Sequence, residues 1–283
     1  MNLCDRETLR ALLGRHGFHF SKSMGQNFLI DPAVPADIAA ASQADGACGV
    51  LEIGPGVGCL TAELAERAGK VVSVELDKKL LPVLAETMAP YDNVEIVSGD
   101  ALKLDLAALA AEKFAGLRPL VCANLPYNIT TPVLTKLAET PSFESVTVLL
   151  QREVARRLAA PQGSAEVGAF TLWLQYCMET EILFDVPAEK FFPAPKVDSA
   201  VLRCVRRERP AVEVEDEAFF FRVVRGAFLL RRKTLANSLS AALPETGKER
   251  VQEAMAALGL PESVRGEKLT LEDFAALAAE LAK

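Results

Sequence analysis

The run Val121-Cys122-Ala123-Asn124-Leu125-Pro126-Tyr127-Asn128 holds the residue types with the most specific chemistry in the chain. An apolar strand ends there in an amide, a proline and an aromatic. The Asn124 side-chain oxygen and the Leu125 carbonyl, in a turn stiffened by Pro126, offer two acceptors to a planar amine, and Tyr127 offers a face for its ring. A nucleobase amino group fits that description. Such an amine is a poor nucleophile because its lone pair is delocalised into the ring. Acceptors facing its N–H bonds favour a pyramidal nitrogen whose lone pair can attack.

Three more strand ends carry ligand-type residues. Leu51-Glu52-Ile53-Gly54-Pro55-Gly56-Val57-Gly58 reads as a strand running into a glycine turn that opens a helix. Glycines admit close backbone approach, and the helix start presents free N–H groups. Cys59 occupies the third glycine position of G-x-G-x-x-G, which argues against a pyrophosphate-binding dinucleotide site. Glu75 ends the next strand, about 20 residues beyond the glycines, where an acidic side chain accepts from both ribose hydroxyls. Asp100, in Gly99-Asp100-Ala101 after the third strand, can accept from the amino group of a bound adenine. Alone, Asp100 would read as a helix cap; with Gly54 and Glu75 beside it, a nucleoside site is the better reading.

The elements that must position these residues alternate. Strands are expected over 50–53, 71–75, 94–98, 120–123 and 146–150, with helical patterns over 60–68, 80–88, 104–114 and 132–138 between them. Alternation of this kind gives parallel pairing and a doubly wound sheet. Residues 180–186 and 197–205 read as two strands with no helix between, bracketing Phe191-Phe192-Pro193-Ala194-Pro195 and forming an antiparallel sheet edge. Upstream, residues 6–16 read as a helix and residues 21–29 as a polar lid loop. Downstream of residue 206 the patterns over 216–243, 248–258 and 271–281 are all helical. The expected division is 1–206 for the sheet domain and 207–283 for a small all-α domain.

Composition narrows the function classes. The chain has 283 residues, a net charge of -7 and no apolar run near the roughly 18–20 residues of a membrane span. Residues 1–15 carry neither a secretory nor a transit pattern, so a cytoplasmic location is expected. The six cysteines form no C-x-x-C pair and only His16 and His19 accompany them, so no metal is expected and the thiols read as buried and free. The acidic total argues against a protein coated by nucleic acid, yet two basic clusters stand out. Arg203, Arg206, Arg207 and Arg209 form one; Arg222, Arg225, Arg231, Arg232 and Lys233 form another without an intervening acid. Local patches on an acidic protein can still dock phosphates. On a continuous helix Arg222, Arg225 and Arg232 would share one stripe.

Gly25-Gln26-Asn27-Phe28-Leu29, Glu52-Ile53-Gly54-Pro55-Gly56, Val74-Glu75, Gly99-Asp100-Ala101, Asn124-Leu125-Pro126-Tyr127-Asn128-Ile129, Phe191-Phe192-Pro193-Ala194-Pro195-Lys196-Val197-Asp198-Ser199 and Arg231-Arg232-Lys233-Thr234-Leu235 together resemble the KsgA-type small-subunit ribosomal RNA adenine dimethyltransferases. The resemblance runs from Gly25 to the end. Three positions depart from it: Val167 replaces a more frequent Tyr, Cys59 interrupts the glycine loop, and Phe192 doubles the aromatic.

The resemblance implies an α/β fold with a Rossmann-like class I methyltransferase sheet, mostly parallel with an antiparallel edge strand, and a small helical rRNA-binding domain. It implies S-adenosyl-L-methionine as cosubstrate, without a metal, and dimethylation of two adjacent adenines near the 3' end of small-subunit rRNA within a ribosomal assembly particle. The enzyme would act as a monomer, away from membranes. Gln26, Asn27, Leu29, Gly54, Gly56, Glu75, Asp100, Ala101 and Asn124 would contact the donor. Asn124, Leu125, Pro126 and Tyr127 would hold the base, with Phe191 as the opposing wall; one of Phe191 and Phe192 is expected in the core. Arg222, Arg225, Arg231, Arg232 and Lys233 would contact RNA. The alternatives are a large-subunit adenine methyltransferase of the macrolide-resistance type and a non-catalytic rRNA-binding assembly factor. An NAD oxidoreductase fails on Cys59 and on the lack of a hydride-site acid or base.

Overall fold

The short apolar runs pair into one seven-stranded sheet in the computed structural model, which describes residues 1–18 and 26–283. Residues 21–25 of the expected lid therefore lie outside the described residues. After helix α1 (Arg6–Arg15) the chain gives β1 (Phe28–Leu29), α2 (Ala33–Ala41), β2 (Cys48–Ile53), α3 (Cys59–Ala65), β3 (Lys70–Glu75), α4 (Leu81–Thr87), β4 (Val94–Ser98), α5 (Leu106–Lys113), β5 (Arg118–Asn124), α6 (Thr130–Ala138) and β6 (Ser145–Gln151). Then follow α7 (Arg152–Leu158), α8 (Ala169–Cys177), β7 (Met178–Val186), β8 (Phe191–Phe192), β9 (Ser199–Arg206), α9 (Glu217–Ala227), α10 (Leu235–Ala242), α11 (Lys248–Ala257) and α12 (Leu271–Leu281).

The sheet order is β4-β3-β2-β5-β6-β9-β7. β4, β3, β2, β5 and β6 are mutually parallel, and β9 runs antiparallel to β6. The antiparallel strand is thus second from the edge, and β7 takes the edge itself. Every residue of β2 is buried, as a central parallel strand covered on both faces requires. No helix among the described residues is long and apolar enough to cross a membrane.

Two compact units result: Met1–Ala155 with Glu181–Arg206, and Arg156–Thr180 with Arg207–Lys283. The break at residue 206 coincides with the expected one, but residues 156–180 belong with the helices rather than with the sheet. The reason is packing. Leu172 and Tyr176 of α8 share a core with Phe220 and Phe221 of α9, and the Tyr176 ring meets Phe221 edge-on at 5.0 Å. The Tyr176 hydroxyl donates to Glu217 at 3.1 Å. Val167, one of the positions that depart from the resemblance, is wholly buried in the same core.

The expected long helix over 216–243 is broken after Ala227. Ser238 causes the break: its hydroxyl donates to the Gly226 carbonyl at 2.6 Å and accepts from the Leu230 N–H at 3.0 Å, replacing the bond that would continue α9. Arg231, Arg232 and Lys233 then occupy an exposed turn, so the continuous stripe joining Arg232 to Arg222 and Arg225 does not exist. Arg222 is further committed to Glu245. Three of the four arginines of the other basic cluster are structural. Arg206 donates to the Leu137, Ala138 and Thr140 carbonyls at the end of α6, a favourable place for a cation at a helix C-terminus. Arg203 and Arg207 pair with Glu181 and Glu179, each at 3.0 Å.

Candidate active site

β4, β3, β2 and β5 are neighbouring and parallel, so their carboxyl ends lie side by side. Chain order reverses between β2 and β5, and a crevice opens outside the strand ends at such a switch point. Gly54 and Gly56 follow β2, Glu75 and Leu76 end and follow β3, Asp100 and Ala101 follow β4, and Asn124, Leu125, Pro126 and Tyr127 end and follow β5; all line one cavity. Gln26, Asn27, Phe28 and Leu29 add a further wall, and the empty space including the open mouth is about 1080 Å³.

The glycine turn needs its glycines. Gly54 has φ 72°, and a Cβ there would lie 3.5 Å from the Pro126 ring, so the two motifs abut across the switch point. Gly58 has φ 95°, and a Cβ would come within 2.5 Å of the Met88 methyl. The Glu75 carboxylate accepts the Asp77 N–H at 2.7 Å and also the Gly56 N–H, which aims it; burial pushes its pKa up. Gln26 donates to Asp77 at 2.9 Å and ties the lid-side wall to this turn. Asp100 accepts the Leu102 N–H at 3.0 Å with one oxygen; the other lies 3.8 Å from the largely exposed Lys103. Lys136 of α6, not anticipated from the sequence, donates to the Leu102 carbonyl at 2.8 Å and to that of Leu104, fastening the Asp100 loop to the helix that follows Tyr127. A lone lysine on an apolar helix face gives no sequence signal for such a role. Leu76 was also missed; it is 53% exposed at the cavity, immediately after Glu75.

Glu52, Glu75 and Asp100 line the cavity among the described residues, and no Lys, Arg or His does. That field suits a cationic, sugar-bearing ligand and opposes a pyrophosphate. Glu52 is 1% exposed, and one of its oxygens accepts from the Thr61 and Ser73 hydroxyls, each at 2.7 Å. Burial, aided by the charge of Glu75, raises its pKa from 4.5 to about 7. The folded protein therefore holds this proton where the unfolded chain has released it. Stability should fall as pH rises from 4.5 to about 7 and level off above. At ~1.4 kcal/mol per unit the change is roughly 3 kcal/mol. Glu52→Gln should flatten most of the slope in denaturant melts across that window; Glu75 leaves a residual of the same sign. An unchanged slope would mean that Glu52 titrates alike in both states.

At the end of β5 the Leu125 N–H donates to the Leu149 carbonyl at 3.1 Å, and the Pro126 carbonyl is taken by the Ile129 N–H at 3.1 Å. The Asn124 side chain and the Leu125 carbonyl have no hydrogen-bond partner among the described residues. Two acceptors are thus held by a rigid backbone and left open beside the cavity. The Tyr127 hydroxyl shares a 2.6 Å hydrogen bond with the hydroxyl of Ser199, which is wholly buried at the start of β9, and burial raises the tyrosine pKa. This bond anchors the far end of the ring. Tyr127→Phe and Ser199→Ala should each lower turnover roughly tenfold by loosening the ring, and the double variant should be no worse than either single one. Additive losses in the cycle would show that the two hydroxyls act separately.

Every donor-contact residue expected from the sequence lines this cavity. Phe191 does not join them. It is 2% exposed and packs with Leu29, Leu149 and Val201, because β8 pairs Phe191 with Leu29 of β1 and strand alternation turns successive side chains to opposite faces. The half-buried ring is Phe192, so core and surface roles within the pair are reversed from expectation. Arg225, Arg231, Arg232 and Lys233 are exposed in the helical unit.

The model of the ribosomal RNA adenine dimethylase family matches residues 17–283. The chain is 47% identical over 273 residues to a ribosomal RNA small subunit methyltransferase A from Geobacillus thermodenitrificans, covering 95% of this chain and 93% of the relative. It is 47% identical over 282 residues to the protein of the same name from Streptococcus sanguinis, covering 98% and 97%. Among solved structures, the 23S rRNA methyltransferase ErmE superposes with a TM-score of 0.72 at 29% identity over 91% of this chain and 100% of that one. A dimethyladenosine transferase from Plasmodium falciparum has the same fold, with a TM-score of 0.73 at 24% identity over 90% and 97%. This chain belongs to the ribosomal RNA adenine dimethylase family.

Proposed function

We propose that the protein dimethylates the exocyclic amine of two adjacent adenines near the 3' end of small-subunit rRNA, using S-adenosylmethionine, in a ribosomal assembly particle. The observation that carries this reading is a cavity lined by carboxylates and, among the described residues, by no cation, opening directly beside the Asn124 and Leu125 acceptors, which have no partner among those residues. The donor, when bound, supplies an electrophilic sulfonium methyl. Glu75 accepts from the ribose hydroxyls and Asp100, through its outward oxygen, from the adenine amine of the donor. Gly54, Gly56, Gln26, Asn27, Leu29 and Ala101 shape the remaining wall.

Asn124 and Leu125 accept from the target amine and aim its lone pair. The methylated ammonium is acidic enough to release its proton to water, so no general base is needed. Positioning then carries catalysis, and orientation of this kind can supply roughly 7–11 kcal/mol. The target base must leave the RNA stack to reach the cavity, and Tyr127 gives it a stacking face worth about 1–3 kcal/mol. In the helical unit, Arg225, Arg231, Arg232 and Lys233, with Arg222 once released from Glu245, are the phosphate contacts. The names of the relatives at 47% identity favour the small subunit over the large one. Labelled methyl transfer to isolated, unmethylated small and large subunits tests this directly. Label confined to two neighbouring adenines of the small subunit is expected; label only in the large subunit would move the protein to the macrolide-resistance type.

A further inference from the structure

We propose that Arg6, Arg10 and Phe192 form a second RNA-backbone docking surface, on the sheet unit, that grips phosphodiester groups beside the target base. The inference rests on rRNA being the substrate. The guanidinium carbons of Arg6 and Arg10 lie 4.6 and 4.9 Å from the centroid of the Phe192 ring. Both side chains are exposed, and neither guanidinium has an ion-pair or hydrogen-bond partner among the described residues. This sets them apart from the other end of the same helix, where Arg15 and His16 are both committed to Glu86.

The placement works against the helix. Arg6 and Arg10 are four residues apart on one face of α1, so their charges repel, and Arg6 sits in its first turn, where the helix dipole disfavours a cation. A buttress for Phe192 would need neither charge. A guanidinium held over an aromatic face by cation–π attraction keeps its N–H donors available for an anion. The ring thus holds two phosphate-shaped forks in place before any ligand arrives, which lowers the ordering cost of binding. The partner is RNA, because Phe192 in β8 is paired directly with Phe28 in β1, and Phe28 lines the donor cavity. An RNA strand delivering its base to Tyr127 passes a cavity wall whose other strand, β8, bears the ring over which these α1 cations lie.

The test uses the full-length protein and deproteinised small-subunit rRNA, with RNA affinity measured over a series of salt concentrations. Replacing both arginines, R6Q/R10Q, should weaken RNA binding about tenfold at low salt and make the logarithmic salt slope shallower by about 1.5–2, the value for two lost phosphate contacts. Affinity for S-adenosylmethionine should be unchanged. R6K/R10K keeps the charges without the stacked fork, so the slope should be retained while affinity drops severalfold. An unchanged slope in R6Q/R10Q, whether or not thermal stability falls, would overturn the proposal and leave the arginines as a brace for Phe192. If the double variant does not fold, R6Q and R10Q alone must each remove close to one unit of slope, and failure of both overturns it equally. Methyl transfer to unmethylated subunits by the unaltered enzyme is run alongside. Loss there with an intact RNA slope would strike the proposed reaction rather than this surface.

Discussion

Asn124→Ala is expected to cut methyl transfer by about 10²–10³-fold while sparing both the fold and donor binding. The Asn124 side chain makes no hydrogen bond among the described residues, so its removal leaves nothing buried and unsatisfied. Stability should stay within about 0.5 kcal/mol of the parent. The β5 backbone is held independently, through pairing with β6 and the Leu125 bond to Leu149, so Pro126 and Tyr127 keep their places. What disappears is one of two acceptors aimed at the amine during attack. Loss of a single preorganised hydrogen-bonding group at a reacting centre costs about 10²–10³-fold in turnover. Donor affinity should change by no more than the roughly 1 kcal/mol of one neutral hydrogen bond. Single-turnover transfer and calorimetric donor titration on the same preparation separate the two. Turnover within tenfold of the parent would show that the amine is oriented elsewhere.

Glu75→Gln should do the opposite, weakening the donor strongly while leaving the base site formed. The carboxylate is aimed by the Asp77 and Gly56 N–H groups, and its free acceptor capacity faces the cavity. Glutamine fits the space but replaces half of that capacity with a donor, which meets ribose hydroxyls or backbone N–H groups badly. Charge-assisted bonds contribute roughly 1.5–3 kcal/mol each, so donor affinity should fall on the order of 10²-fold. RNA affinity, measured without donor, should not move. Donor affinity near that of the parent would remove Glu75 from the site. The burial that raises the Glu75 pKa adds a check, because the glutamine variant should also lose part of the stability decline seen on raising pH.

The sheet and its ligand end were legible because they depend on local, repeated signals. The alternation of short apolar runs with amphipathic helices gives parallel pairing whatever the details, and a functional residue at a strand's carboxyl end falls at the crevice once the strand is placed. Gly54, Glu75 and Asn124 were therefore readable from their own strand ends, and Asp100 once Gly54 and Glu75 stood beside it. Phe191 and Phe192 were not, since adjacent strand residues face opposite ways and only the register against Phe28 and Leu29 decides which is inside. The long helix over 216–243 failed for a related reason. No local signal marks residue 228 as an end; the break comes from Ser238, twelve residues beyond Gly226 and brought back by the turn.

By itself the amino-acid order determined the class of fold, the four strand ends that meet at one cavity, and the amide and carbonyl pair beside it. Each is local chemistry on a period the backbone imposes. Tertiary structure alone decided that residues 156–180 belong to the helical unit, that Arg206 caps α6 instead of binding phosphate, that Ser199 fixes Tyr127 and Lys136 the Asp100 loop, and that Arg6 and Arg10 converge on Phe192. Those pairings join residues far apart in the chain, and no spacing in the sequence encodes the distance between them once folded.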